Sequence, residues 1–488
     1  MSVDYDIAIV GGSLAGRDAA LKAVQLRAKV ALVEPGFRHD LIQLQGMREL
    51  SNAVGKIKDL IRFGVYDVPF CSGGTYKADI AEKSPTSLDK LLLWGSAVAA
   101  NIEEQLSPAY LAAQGVDVII GKGFFQVSPD LNFIVKKRKL SARNFLLATG
   151  SHPGIPEIEG LQEAGYFTLS NVWQVLESPM PPKNWVILGG TPQSVEIAQS
   201  LAKLGYNVTL IVNSPYIISP IDPEIAQLLQ AQLEVCGVRV FTRATVTQIR
   251  LIEDKKWLQA GDIAIETDEI LVAIAQVPLI ESLNLAAVGV KYNSHSLLVN
   301  KKLQTTNDRI YACGDVIGGY NLPNIANYEA RIAIENALFF RKYKINYQVI
   351  PWGILTQPSL MQVGLTERQA KNRYGGNEIL VLRQYFKGLA TAQLIDETTG
   401  ICKIIVRRNG EILGACLFGA EARELINLIA IAIAQKIKIN ALANFSPVYS
   451  SFSEIVEKTA WEWHKQRLEN ERLQDFWDGF FIFLRNRK

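Results

Sequence analysis

Asp6-Ile-Ala-Ile-Val-Gly-Gly-Ser-Leu-Ala-Gly16, continuing to Val30-Ala-Leu-Val-Glu34, reads as strand, glycine turn, helix and strand. Ile7 to Val10 form a short apolar run, the mark of a central parallel strand buried on both faces. Gly11 permits a tight turn, and Gly16 lets the helix pack closely on the strand. The helix start then offers free N–H groups and a positive dipole end to a pyrophosphate. Glu34 ends the second strand where an acidic residue takes ribose hydroxyls. Ser13 stands where the middle glycine is usual and narrows the backbone's approach to the phosphates.

The rest of the chain is consistent with a large α/β protein. Its 488 residues suffice for about three domains, and 48% hydrophobic with 20% charged residues predicts sizeable cores. A net charge of +3 gives no argument for nucleic acid. Strand character within the first ten residues leaves no room for a signal peptide, and no run of 18 apolar residues spans a bilayer. Five scattered cysteines (Cys71, Cys236, Cys313, Cys402 and Cys416) suggest a reducing, cytoplasmic setting without a disulfide framework. Cys402 and Cys416 flank an Asn409-Gly410 turn. A two-residue loop there would put Leu417 opposite Cys402 and turn Cys416 to the other face, so the pair should not bridge.

Further along, helices are expected from about Met47 to Phe63 and Ser87 to Leu106, with loops at 64–86. Phe145-Leu-Leu-Ala-Thr-Gly-Ser151 is a buried strand ending in a small-residue turn that can close under a cofactor. The opening pattern returns in damaged form at Val186-Ile-Leu-Gly-Gly-Thr-Pro-Gln-Ser-Val-Glu196 and Val208-Thr-Leu-Ile-Val212. Thr191 and Ser194 replace two glycines there, and Val212-Asn213 carries no acid. A β-branched Thr191 should crowd a dinucleotide phosphate. In Arg309-Ile-Tyr-Ala-Cys-Gly-Asp-Val316 a strand and glycine turn present Asp315, a carboxylate suited to polyol hydroxyls.

In this order the pieces resemble the flavoprotein pyridine nucleotide-disulfide oxidoreductases, which include dihydrolipoamide, glutathione and mercuric reductases. Pro351-Trp-Gly-Ile-Leu-Thr-Gln-Pro358, Val363-Gly-Leu-Thr-Glu367 and Ile412-Leu-Gly-Ala-Cys-Leu-Phe-Gly419 look like the family's interface domain. The resemblance implies an α/β fold with two Rossmann-like nucleotide-binding domains, for FAD and NAD(P), plus a C-terminal α+β dimerisation domain. The expected divisions are an FAD domain at 1–155 and 276–345, an NAD(P)-type domain at 156–275, an interface domain at 346–455 and an aromatic tail at 456–488. By the resemblance Gly11, Gly12, Ser13, Ala15, Gly16, Glu34, Pro35, Ala148, Thr149, Gly150, Gly314 and Asp315 would hold FAD. Gly189 and Gly190 would belong to an NAD(P)-type site. Glu196 matches an acidic residue whose family counterpart pairs with a lysine near the flavin; Arg48 is the candidate for that pairing here.

The departures shape the functional expectation. The family's redox disulfide would fall between Glu34 and Leu50, a stretch without cysteine, although His39 lies in it. Tyr449 stands for the family's histidine base in Tyr449-Ser-Ser-Phe-Ser-Glu454, and a tyrosine of pKa about 10 is a poor base near neutrality. Tyr449 reads as a packed interface residue or an acid, and Glu196 as a flavin-side residue or a charge opening a helix. Ala275-Gln-Val-Pro278 replaces the turn near the nicotinamide. No cluster has metal-ligand spacing. The expected function is an FAD-dependent oxidoreductase and homodimer. It passes electrons from NAD(P)H or a reduced carrier protein to a non-disulfide acceptor: a quinone, small molecule or electron carrier. The alternative is a non-catalytic FAD-binding scaffold or sensor. In the tail Trp463, Leu473, Trp477, Phe480 and Leu484 recur at near-helical spacing, fit to pack on protein or lie on a membrane surface, with protein packing favoured by the acidic residues among them.

Overall fold

This computed structural model describes residues 3–34, 40–62, 97–98, 100–101, 104–127, 130–178, 180–219, 221–319, 321–468 and 471–486. Pro35, His39, Cys71, the expected loops at 64–86 and most of the helix expected at Ser87–Leu106 lie outside them. The chain divides into two units, residues 1–219 with 232–345, and residues 220–231 with 346–488.

In the first unit β1 (Tyr5–Val10) has no polar side chain between Ile7 and Val10 and takes the centre of a five-stranded sheet. A helix α1 (Leu14–Gln25) follows its turn and leads to β2 (Val30–Glu34). β1 pairs in parallel with β2, Val10 opposite Val33, and with Ala142–Leu147, Val10 opposite Leu147. Strand Ile310–Ala312 adds to the far side of Ala142–Leu147 and Asp117–Ile120 to the far side of β2. The late return to position 310 brings Gly314 and Asp315 to the same sheet end as the turn at Gly11. Buried Ala15, Ala19, Ala20 and Ala23 keep α1 close to the sheet. Helix α2 (Asp40–Arg62) starts at Asp40 rather than near Met47.

The same plan recurs as β3 (Asn184–Leu188), α3 (Pro192–Lys203) and β4 (Asn207–Val212), within a second parallel sheet. An antiparallel sheet of Val246–Ile252, Lys255–Ala260 and Ile263–Thr267 shares its core through Ile249, Leu258 and Ile265.

The second unit is built on an antiparallel sheet in which β5 (Ile401–Arg407) pairs with β6 (Ile412–Gly419). Leu417 stands opposite Cys402, as expected, but by another route. Arg407 N–H bonds the Glu411 carbonyl, which makes the loop three residues long, and a bulge at Leu413 restores the register. Helix α4 (Glu454–Leu468) packs on this sheet through Ile455, Val456, Ala460 and Trp463. The tail expected from residue 456 therefore starts later, at α5 (Glu471–Asn486), and Trp463 is a core residue instead. No helix among the described residues is long and apolar enough to cross a membrane.

Residues 220–231, expected in the nucleotide-type domain, cluster instead with the C-terminal unit. Lys403 joins the two segments: its side chain is 1% exposed and its Nζ meets Asp222 at 2.8 Å, Glu367 at 2.7 Å and Glu224. Burial opposes ionisation of Glu367, yet hydrogen bonds from Lys371 and Lys403 and the charges of Lys403 and Arg383 hold its carboxyl down to about 2. A carboxyl so lowered stabilises the fold above its unfolded value, and the effect is lost as pH falls through the folded value. Stability measured by urea unfolding should therefore drop between about pH 4.5 and pH 2. Lys403→Met leaves buried Asp222 without its cation, while Arg383 still meets Glu224 and Glu367, and should cost about 3–5 kcal/mol in the same measurement at neutral pH.

Candidate functional site

The turn after β1 is fixed by close backbone approach. A Cβ on Gly11, at φ +123°, would lie 2.1 Å from the Ala148 carbonyl oxygen, and one on Gly16 would lie 2.1 Å from the Gly11 carbonyl oxygen. Ser13 caps α1: its Oγ accepts the Gly16 N–H at 3.2 Å and donates to the Ala148 carbonyl at 3.0 Å. The hydroxyl is thus used within the turn, and the first-turn N–H groups of Leu14 and Ala15 have no intrahelical partner.

The turn forms one wall of a cavity of about 580 Å³, within the range of cofactor sites. Gly11, Gly12, Ser13 and Ala15 line it with Ala148, Thr149, Gly150, Gly314 and Asp315. Thr149 Oγ1 is buried without a hydrogen-bond partner. Gly150 sits at φ +73° with open space where a Cβ would go. Ser151 Oγ lies 3.2 Å from Asp315 Oδ2 and 3.0 Å from Gln276 Oε1. Gly314 N–H donates to Glu329 Oε2 at 2.6 Å, which fixes the turn that presents Asp315. A polar orphan, a glycine-lined wall and a helix start fit a pyrophosphate-bearing cofactor.

Glu34 is less open than its position in the sequence suggests. It is 2% exposed and takes a bidentate pair from Arg17, Nη2 to Oε1 at 2.9 Å and Nε to Oε2 at 3.1 Å. Arg17, also buried, spends Nη1 on the Leu106 carbonyl at 2.9 Å. Among the cavity-lining residues Val33, the neighbour of Glu34, appears and Glu34 does not. Sequence reading missed Arg17; the available signal was an arginine directly after Gly16 with a β2 acid to meet.

The second turn is closed on itself. Thr191 Oγ1 accepts the Ser194 N–H, Ser194 Oγ accepts the Thr191 N–H, and Pro192 has no N–H to give. A Cβ on Gly190 would lie 2.7 Å from the Ile217 carbonyl oxygen, and one on Gly189 would lie 2.2 Å from that of Ala273. Both glycines are demanded by packing.

Residues 5–330 match the model of the pyridine nucleotide-disulphide oxidoreductases, and residues 350–460 match that family's dimerisation domain. The chain belongs to this family. It is 29% identical to a mercuric reductase of Staphylococcus aureus over 467 residues, covering 92% of this chain and 81% of the relative. It is also 29% identical to a dihydrolipoyl dehydrogenase of Bacillus subtilis over 472 residues, covering 93% and 97%. Among solved structures, LpdA from Mycobacterium tuberculosis superposes with a TM-score of 0.81 at 22% identity, covering 93% of this chain and 99% of that one. The flavoprotein disulfide reductase RclA from Escherichia coli gives 0.79 at 22%, covering 95% and 100%. The FAD-binding and NAD(P)-binding Rossmann domains and the dimerisation domain are those typical of the family.

Against that family the chain lacks a disulfide-forming cysteine pair. In the stretch that resembles the family's redox loop, Ile42, Leu44 and Gln45 line the cavity. Cys313, Cys402 and Cys416 are buried and Cys236 is half-buried, all as free thiols. Burial pushes Cys402 up to about 12, and burial with the charges of Glu329 and Asp315 pushes Cys313 well up too. Arg48 and Glu196, 6% and 8% exposed, stand 3.7 Å apart where α2 packs on α3. Neither lines the cavity, whereas Gln193 on the same helix does. Tyr449 is 80% exposed within the single chain.

Two outcomes are expected. Iodoacetamide at pH 8 should leave Cys313, Cys402 and Cys416 of the native protein unmodified by mass spectrometry, because burial disfavours their thiolates. Arg17→Met should lower stability in urea by about 3–5 kcal/mol, because it leaves Glu34 buried without its partner.

Proposed function

We propose that the protein is an FAD-dependent oxidoreductase in which the flavin exchanges electrons with a non-disulfide acceptor. The observation that carries this reading is the cavity wall: among the described residues Ile42, Leu44 and Gln45 stand in the stretch that resembles the redox loop, and Cys313, which also lines the cavity, is a buried free thiol without a disulfide partner. The chain's own residues bind and orient the cofactor. The α1 N-terminus with Gly11, Gly12, Ser13, Ala15 and Gly16 receives the pyrophosphate, and Glu34, steadied by Arg17, takes the adenosine ribose, with Pro35 next to it in sequence. Ala148, Thr149 and Gly150 close beneath the cofactor, the orphaned Thr149 hydroxyl donating to it. Asp315, presented by Gly314 and held by Ser151, accepts from its polyol hydroxyls. The flavin itself supplies the redox chemistry.

The donor is NAD(P)H or a reduced carrier protein. By the resemblance Gly189 and Gly190 would belong to the dinucleotide site, but the self-capped turn at Thr191 offers fewer free N–H groups than the turn at Ser13, which supports the carrier. Glu196 with Arg48 acts behind the cavity wall as a positioning pair, and Tyr449 acts at the homodimer interface. A quinone, a small molecule or an electron carrier suits the acceptor role. A quinone would lie in a bilayer, and the aromatic helix that ends the chain is the element through which the protein would reach it.

Purified protein should be yellow, and NADH, NADPH or a reduced carrier should bleach it at turnover rates, unchanged after alkylation of its accessible thiols. A flavin inert to every donor would sink the reading in favour of a binding scaffold. Asp315→Ala should lower bound FAD per protein about tenfold or more, the scale of one lost charge-assisted hydrogen bond. Ser151→Ala should lower it less, measured by visible absorbance after dialysis.

A further inference from the structure

The helix α5 lies beyond residue 460, where the family's dimerisation domain ends. On a wheel of about 100° per residue Phe476, Trp477, Phe480, Phe481, Phe483 and Leu484 share one arc about 160° wide. Gln474, Asp475, Asp478, Arg485 and Asn486 take the opposite side, with the exposed Ile482 among them. The six apolar side chains are 40% to 62% exposed. The rings of Phe476, Trp477, Phe480 and Phe481 touch one another, Trp477 standing 5.7 Å from Phe480 and 6.1 Å from Phe481. The chain's own core is already closed one helix earlier by Trp463 of α4.

We propose that α5 is a membrane-surface helix that lays this aromatic face into an anionic lipid bilayer. Its 16 residues make a rod about 24 Å long, too short and too charged to cross the hydrocarbon layer. The face suits a bilayer interface better than a second copy of the helix. A two-helix seam takes a narrow strip of Leu, Ile and Val at close approach, whereas this arc is wide and carries five ring side chains. Interfacial helices take Trp, Phe and Leu at the headgroup boundary. Asp475 and Asp478 stand on the polar side, away from the aromatic arc, and the sequence Arg485-Asn-Arg-Lys488 places three basic residues just after it, the charge that anionic headgroups attract. The inference goes beyond the redox reading and does not depend on it.

The test is flotation of the full-length protein with phosphatidylcholine vesicles containing phosphatidylglycerol, with no electron donor present. It is compared with a chain ending at Leu468 and with the Phe480→Glu, Leu484→Glu double variant. The full chain should float. Both variants should lose about tenfold or more of the bound fraction while keeping their visible flavin absorbance and urea midpoint. A full-length chain that stays with the soluble fraction overturns the proposal, as do variants that float equally well. A chain ending at Leu468 that halves its hydrodynamic mass while full-length flotation is absent assigns the face to a second copy. None of these readings changes if the flavin proves inert to donors.

Discussion

The fold around the candidate site depends on three backbone segments meeting with no room for a side chain. The Ala148 carbonyl oxygen occupies the place of a Cβ on Gly11, and the Gly11 carbonyl oxygen occupies that of a Cβ on Gly16. One contact ties the β1 turn to the strand at 142–147, and the other ties α1 to the turn. Backbone at such distance needs glycine, because any Cβ would overlap an atom that cannot move without breaking the sheet. With the three segments so locked, the helix start faces one fixed direction. The cavity then forms between it, the Thr149-Gly150 turn and Asp315.

The second Rossmann half shows what the same plan becomes when its glycines are exchanged. Gly189 still meets the Ala273 carbonyl, so the turn keeps its shape. Thr191 and Ser194 then cap the helix with their own hydroxyls, satisfying N–H groups that an open glycine turn leaves for a ligand. Fold and ligand binding thus place separate demands on one motif. Gly189 and Gly190 survive at backbone contacts, while Ser194 stands where the first half has its own packing glycine, Gly16. In the stretch that resembles the redox loop, buried Leu44 lines the same cavity beside Ile42 and Gln45.

Much of the site was legible because it is local. Gly11, Gly16 and Glu34 lie within one strand–helix–strand unit whose spacing is set by helix and strand geometry. The facing register of Cys402 and Leu417 was also legible, although the loop is one residue longer than expected and a bulge compensates. What was not legible involves partners far apart in the chain. The Lys403–Asp222 ion pair spans 181 positions and ties residues 220–231 to the C-terminal unit with which they group. Trp463 reads as one more residue of an aromatic stripe, yet it closes a core while Trp477 remains exposed.

The sequence by itself determined the family, the strand–turn–helix pattern at both nucleotide-type halves and the absence of a cysteine between Glu34 and Leu50, because each is a matter of residue type at short spacing. Only the tertiary structure decided that Glu34 is held by Arg17, that Arg48 meets Glu196, that the Thr149 hydroxyl is left without a partner and that α5 stands with its aromatic face exposed. Each of these depends on which side chains the packing brings together. Spacing along the chain fixes the face a residue takes on its own element but not what lies across from it.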